Sequence, residues 1–236
     1  MRPRKTTVEE VLKKLEARAD PRVRAAMPHF GVRVEGALGI SAPVLHRLAR
    51  EIGRNHRLAQ QLWKSGVHEA RILAALVDDP TKVTEGQMER WARAFDSWDL
   101  VDGTCDYLFV YAAPVWKKTV EWTRRKEEYV RRSGFTLMAC LAVHDKRAPD
   151  SRFARLLPLI RRAASDERNF VKKAVNWALR QIGKRNVRLN RLAIRTARTI
   201  RTIDSHAARW VAADALRELT SSAVQRRLVT RARCSV

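Results

Sequence analysis

Ser97, Trp98, Asp99 and Asp102 fall within six residues, at the junction of two helical patterns. Ser97 is a good N-cap, and Asp99 lies in the first turn of the helix it opens, where the backbone dipole favours an anion. Trp98 starts that helix and projects an indole from the inter-helix turn. Asp102 follows four residues later, which on a helix puts it on the face of Trp98. An aromatic face and a carboxylate therefore lie side by side, and both favour positive charge. The whole chain carries a formal net charge of +23. A protein this basic seeks polyanions, and an acid on a polyanion-binding face calls for a chemical role.

Other chemistry-bearing residues offer less. No Gly-x-Ser-x-Gly, His-Glu-x-x-His or glycine-rich phosphate loop occurs. His68-Glu69 and His144-Asp145 stand at helix ends and read as caps, so neither a metal site nor a cofactor is expected. Cys105, Cys140 and Cys234 are odd in number and widely spaced, and no histidine adjoins them. They fit a reducing cytosol better than a disulfide frame or a cysteine nucleophile. Of seven tryptophans, Trp63, Trp91, Trp116 and Trp122 lie among apolar partners at helical spacing and read as core. Trp98 and Trp177 differ, with Asp99 beside one and Asn176 and Arg180 near the other. By pattern alone, packing remains the better reading even for these two.

The elements that must position these residues are helices throughout. Thr7-Val8-Glu9-Glu10 is a capping box, and Val8, Val11, Leu12 and Leu15 form the stripe behind it. Asp20-Pro21 stops that helix, and a short one follows, roughly to Phe30. Gly31, Gly36 and Gly39 mark the longest loop-like stretch, up to a helix start at Ser41-Ala42-Pro43. Helices are expected at Val44–Ile52, His56–Lys64 and His68–Val77. Another, behind a second capping box at Thr84–Gln87, runs to Ala94. Beyond the central stretch they are expected near Trp98–Val110, Pro114–Arg125, Glu128–Val143, Ser151–Ala164, Asn169–Gly183, Val187–Ile200, Ser205–Leu219 and Ser221–Arg233. Period-two alternation is absent and the connections are short. These roughly fourteen helices pair at spacings of about 35–40 residues, a period that suits HEAT-like pairs stacked as a solenoid. A compact non-repeat helical domain is the alternative.

Composition sets the remaining bounds. With 45% hydrophobic residues over 236 positions, the chain can build a core as one domain, 1–236. From Val171 onward, sixteen Lys and Arg face three acids. That imbalance implies nucleic acid first and an anionic membrane surface second. No apolar run is long enough to span a bilayer. Lys172, Lys173, Arg180, Lys184 and Arg185 lie on or just after the helix of Trp177, and Arg131 and Arg132 lie near the start of another. Helix starts offer N–H groups to phosphates. The expectation is an all-α solenoid with a concave, basic DNA-binding cleft.

Three stretches carry a resemblance: Ser97-Trp98-Asp99-Leu100-Val101-Asp102, Tyr129-Val130-Arg131-Arg132-Ser133, and Phe170-Val171-Lys172-Lys173-Ala174-Val175-Asn176-Trp177-Ala178-Leu179-Arg180. In this order the chain resembles the AlkD family of DNA alkylation repair proteins, from about Met27 to Leu219. Those are HEAT-like glycosylases that remove N3- and N7-alkylated purines. The resemblance implies that Trp98 and Trp177 are active-site tryptophans lining one cleft with a catalytic Asp102. It also implies that Arg132 and Arg180 contact DNA, with Arg131, Lys172 and Lys173 in the same basic surroundings. Two positions depart from the family pattern. Ser97 stands where an aromatic is typical, and Ala25–Phe30 holds no tyrosine.

The implied chemistry is coherent. A cationic alkylpurine leaves without general-acid help, so the protein need only stabilise cation. Indole faces do so at ~0.5–2 kcal/mol each, and one carboxylate near C1′ steadies an oxocarbenium-like state. The implied partner is double-stranded DNA containing alkylated bases, engaged by a cytoplasmic monomer that associates with the nucleoid, without membrane or cofactor. Two rivals remain. One is a non-catalytic HEAT-repeat protein binding damaged or branched DNA, favoured by the missing aromatics. The other is a protein-interaction solenoid.

Overall fold

The computed structural model describes residues 6–233, with side chains to residue 230. Every regular element among them is helical. The chain divides after Pro114 into two compact units.

The first unit contains α1 (Val8–Glu16), α2 (Pro21–Ala26), α3 (Ala42–Ile52), α4 (His56–Lys64), α5 (His68–Val77), α6 (Glu85–Arg93) and α7 (Trp98–Tyr107). Its centre is α5, where Ala70, Leu73, Ala74, Ala75 and Val77 are all buried. Beyond Arg71 this helix is apolar and needs cover on most sides, and α3, α4 and α7 pack on it. The Thr7 capping box forms as the sequence predicts, with Glu10 reaching back to the Thr7 N–H. Trp63 of α4 and Trp91 of α6 stack with ring centroids 3.9 Å apart, and Phe95 meets Trp63 edge-on. Asp78, just after α5, is fully buried. Its carboxylate bonds His56 at 2.6 Å and accepts from Gln87 Nε2 at 2.7 Å.

The glycine-rich stretch from Gly31 to Ser41 is a fixed loop. Gly39 has φ +80°, and a Cβ there would come within 2.2 Å of the Asp20 carbonyl oxygen. Only glycine fits that approach. The Glu69 carboxylate of α5, 1% exposed, accepts from the N–H groups of Leu38 at 2.8 Å, Gly39 at 2.7 Å and Ile40 at 3.2 Å.

The second unit contains α8 (Val115–Trp122), α9 (Glu128–His144), α10 (Asp150–Ala154), α11 (Leu157–Ala163), α12 (Asn169–Gly183), α13 (Val187–Arg201), α14 (His206–Leu219) and α15 (Ser222–Arg233). α9 packs on α12 and α12 on α14, while α8, α11 and α13 pack against this row. The repeat expected from helix spacing is visible in side-chain bonds. Arg132 to the Phe170 carbonyl, Asn176 to Asp214, Arg180 to Glu218 and Ser205 to Glu167 each span 38 residues. The row is tight at Gly183, where a Cβ would meet Leu219 Cδ2 at 2.6 Å and Ala193 Cβ at 2.9 Å.

Three expectations are corrected. The helix predicted over Ser151–Ala164 is two, α10 and α11. Pro158 has no N–H to give the Ala154 carbonyl, so the chain breaks a turn earlier. The helix predicted to Val110 ends at Tyr107, followed by a 3₁₀ turn at Phe109–Tyr111. Trp116 is half-buried rather than core: its indole N–H donates to Asp145 at 3.2 Å, and Arg152 lies 4.7 Å over its ring. No helix among the described residues is long and apolar enough to cross a membrane.

Candidate functional site

The first turn of α7 is held from three sides. Trp98, half-buried, donates its indole N–H to the Phe30 carbonyl at 2.8 Å. Phe30 ends the 3₁₀ turn Met27–Phe30, just before the loop that Glu69 fixes. Asp99 bonds His68 Nε2 at 2.8 Å through one oxygen and accepts the Ser97 hydroxyl on the other. Arg71 reaches Asp96 at 3.3 Å. Asp102 stands one turn beyond Trp98 on the same helix, half-buried. The local sequence thus assigns its acids separate tasks. Asp96 and Asp99 tie α7 to α5, and Asp102 is the acid that follows the indole around the helix.

The His68–Asp99 pair is charged more readily than either group alone. Burial pushes the Asp99 carboxyl up, but the hydrogen bond and charge of His68, with the hydrogen bonds of Ser97 and the Leu100 N–H, together outweigh it and hold it below the usual carboxylate range. Burial pushes the His68 imidazole down, and the bond to Asp99, with the charges of Asp99, Glu69 and Asp96, raises it above its ordinary value. Opposite charges in a poorly hydrated place stabilise each other's ionised form.

This clamp was not read from the sequence. Ser97 is the N-cap residue, but its side chain makes no capping bond and turns to Asp99 instead. His68 and Glu69 cap no helix by side chain; they bind α7 and the Leu38–Ile40 backbone. The signal was available. His68 and Glu69 head a helix that is apolar beyond Arg71, and polar residues buried at such a start need buried partners.

In the second unit, Trp177 is half-buried on α12. Its neighbour Asn176 is 2% exposed and donates to Asp214 at 2.6 Å. Arg180 pairs with Glu218 and lies 3.5 Å from Asp214. Arg132 is 5% exposed and donates to the Phe170 carbonyl at 2.6 Å, tying α9 to the first turn of α12. Arg131 pairs with Asp166 at 3.3 Å, whose carboxyl, pushed up by burial, is held low overall by Arg168 and Arg131. Lys172 lies 5.3 Å from the ring centre of Trp210, and Lys173 is exposed. Arg132 and Arg180 therefore have protein partners inside the helix row, and Lys173 is the sequence-selected cation most open to solvent.

No group of three or more His, Cys, Asp or Glu side chains among the described residues could hold a metal ion. Cys105 and Cys140 are buried thiols, and Cys234 lies outside the described residues.

The sequence matches the family described as DNA alkylation repair enzyme over residues 11–219. Among curated proteins, none matches. A solved structure superposes with a TM-score of 0.74 at 19% identity, over 91% of this chain and 96% of its own. It is described as a new family of proteins related to the HEAT-like repeat DNA glycosylases with affinity for branched DNA structures. The shared fold is thus all-helical and HEAT-like. A designed armadillo repeat protein aligns at 13% identity over 75% of this chain and 92% of its own, and its TM-score of 0.32 is too low to define a common fold.

Proposed function

Because the chain belongs to the DNA alkylation repair enzyme family, we propose that it hydrolyses the N-glycosidic bond of cationic N3- and N7-alkylated purines in duplex DNA. One observation carries the reading: a half-buried indole is locked at the start of α7 by its bond to the Phe30 carbonyl, with Asp102 one turn further on the same face. The lesion supplies its own leaving-group activation. The C1′–N bond breaks with its electron pair going to the base, which leaves neutral. Positive charge then gathers on the sugar. Asp102 stabilises that charge and orients the water that adds to C1′. Trp98 offers its π face to the same cation, and Trp177 is proposed to offer a second.

The roles of the basic residues divide by burial. Lys172, Lys173 and the partly exposed Arg131 and Arg180 are proposed to meet the phosphates. Arg132, 5% exposed, serves the DNA surface from within by fixing α9 to α12. The net charge of +23 supports salt-dependent, largely sequence-independent binding.

Single-turnover release of methylated base from N-methylpurine duplex DNA, at saturating protein, tests the reading. Asp102→Asn keeps the shape and removes the anion, so the rate falls on the order of 10²–10³-fold while DNA affinity is retained. Equal rates for the two proteins remove Asp102 from the chemistry. A second reading has its own support: Ser97 is buried and bonded to Asp99, so the position just before Trp98 lacks the aromatic typical of the family pattern. Binding of damaged or branched DNA without excision fits that absence. Tight binding with no base released by the wild-type protein selects it.

A further inference from the structure

The second unit holds a cleft of about 1080 Å³ where the C-terminal ends of α9 and α12 meet the start of α13 and the middle of α15. Five cations line it, Lys146, Lys184, Arg185, Arg188 and Arg227, against one acid, Asp150. We propose that this cleft seats the phosphodiester backbone of duplex DNA, as a binding site additional to the α7 centre. The inference rests on the DNA-binding half of the reading above and not on base excision.

The cations have different tasks. The Arg185 guanidinium donates to the carbonyls of Ala142 at 3.1 Å, Lys146 at 3.2 Å and Ala148 at 3.0 Å, and lies 4.2 Å over the Phe153 ring. It covers the carbonyl end of α9, whose partial negative charge would otherwise face an incoming anion. Lys184 pairs with Glu218 at 2.5 Å. Asp150 accepts from Asn186 Nδ2 at 2.8 Å, within the cleft wall. Arg188 and Arg227 are exposed and make no ion pair among the described residues.

The placement of Arg188 is informative. It sits in the first turn of α13, which contains no acid. A cation there opposes the helix dipole, and helix design by local rules would place Asp or Glu instead. Local rules are broken where function requires it. An anion held between the α13 N-terminus and the two arginines resolves the conflict, since both dipole and side chains then attract it. The geometry also suits a continuous track. Lys184 is seven residues beyond Trp177, roughly 10 Å along α12, about three base steps of duplex. A duplex is the occupant favoured over a small anion, because a cleft of about 1080 Å³ is far larger than a small anion needs, and the cations line more than one wall.

The test is binding of undamaged duplex DNA by fluorescence anisotropy, between about 50 and 200 mM salt. Arg188→Gln with Arg227→Gln should flatten the slope of log K against log salt by about 2 and weaken binding on the order of tenfold. A control pair, Arg57→Gln with Lys64→Gln on α4, removes the same charge elsewhere and should bind close to wild type. A wild-type slope for the cleft pair overturns the proposal, as does an equal loss in the control pair. Wild-type protein that binds duplex but releases no base sinks the excision reading and leaves the cleft standing. A cleft pair with the wild-type slope and intact base release does the reverse.

Discussion

Glu69→Gln is the most exacting test of how this fold positions its indole. The carboxylate uses both oxygens: Oε1 accepts from Gly39 and Ile40, and Oε2 from Leu38. Glutamine has one carbonyl oxygen. In its better orientation it keeps the two bonds to Gly39 and Ile40 and points an NH₂ at the Leu38 N–H. That N–H is then unsatisfied beside a like donor, at about 2 kcal/mol. The two surviving bonds lose their charge assistance, at about 1 kcal/mol each. Relief of the buried charge offsets about 1 kcal/mol of this, leaving a net loss of about 3 kcal/mol. Urea unfolding of wild type and variant at neutral pH measures it, and amide exchange at Leu38, Gly39 and Ile40 shows whether the loop has come free. Base release should slow as well, because the same loop follows the Phe30 carbonyl that holds Trp98. A stability loss below about 1 kcal/mol, with those amides still protected, would refute the claim that Glu69 holds the loop.

Three further outcomes are expected. The His68–Asp99 pair gives stability a pH signature: the raised imidazole contributes fully below about 6.5 and the contribution fades as pH rises through the folded value, while the lowered carboxyl contributes above 3.8 and fades as pH falls. Denaturation midpoints should therefore fall as pH rises from about 6.5 through the folded imidazole value, and His68→Gln should flatten that limb. Trp63→Ala removes one ring of a 3.9 Å stack at 7% exposure and should cost about 3–5 kcal/mol in urea unfolding. Arg132→Gln should cost about 2 kcal/mol in stability through the lost bond to Phe170 while leaving the salt slope of DNA binding unchanged; a slope shallower by about 1 returns Arg132 to the phosphates.

The helices were legible because their boundaries are written locally. His68–Val77 and Asn169–Gly183 are bounded in the structure as periodicity and flanking residues predict. The split at Pro158 was missed because the apolar stripe continues through it; stripe and hydrogen-bond ladder are separate constraints, and proline breaks only the second. Trp116 was misread for a related reason, since helical spacing reports the face of a helix and not how completely another element covers it. The site was half legible. Trp98 and Asp102 share a helix, so four residues of spacing bring them together. What holds them could not be seen: His68 lies 31 residues from Asp99, and Arg180 lies 38 from Glu218. An arginine in the sequence shows its charge and not the acid that will face it, which is why Arg132 and Arg180 looked freer than they are.

The 38-residue ladder of the second unit makes it closer to a row of dominoes than to a globule. Each rung joins a helix to its next neighbour, so stability there is nearly a sum of neighbour terms, and the row opens from its end. α15 packs at that end, chiefly on α13 and α14. Hydrogen exchange should therefore be graded along the row, fastest in α15 and slowest where α9 meets α12. A polyanion gripping α12 and α14 would slow the exchange of helices it does not touch, so the protein registers its partner as a change in fraying at its far end.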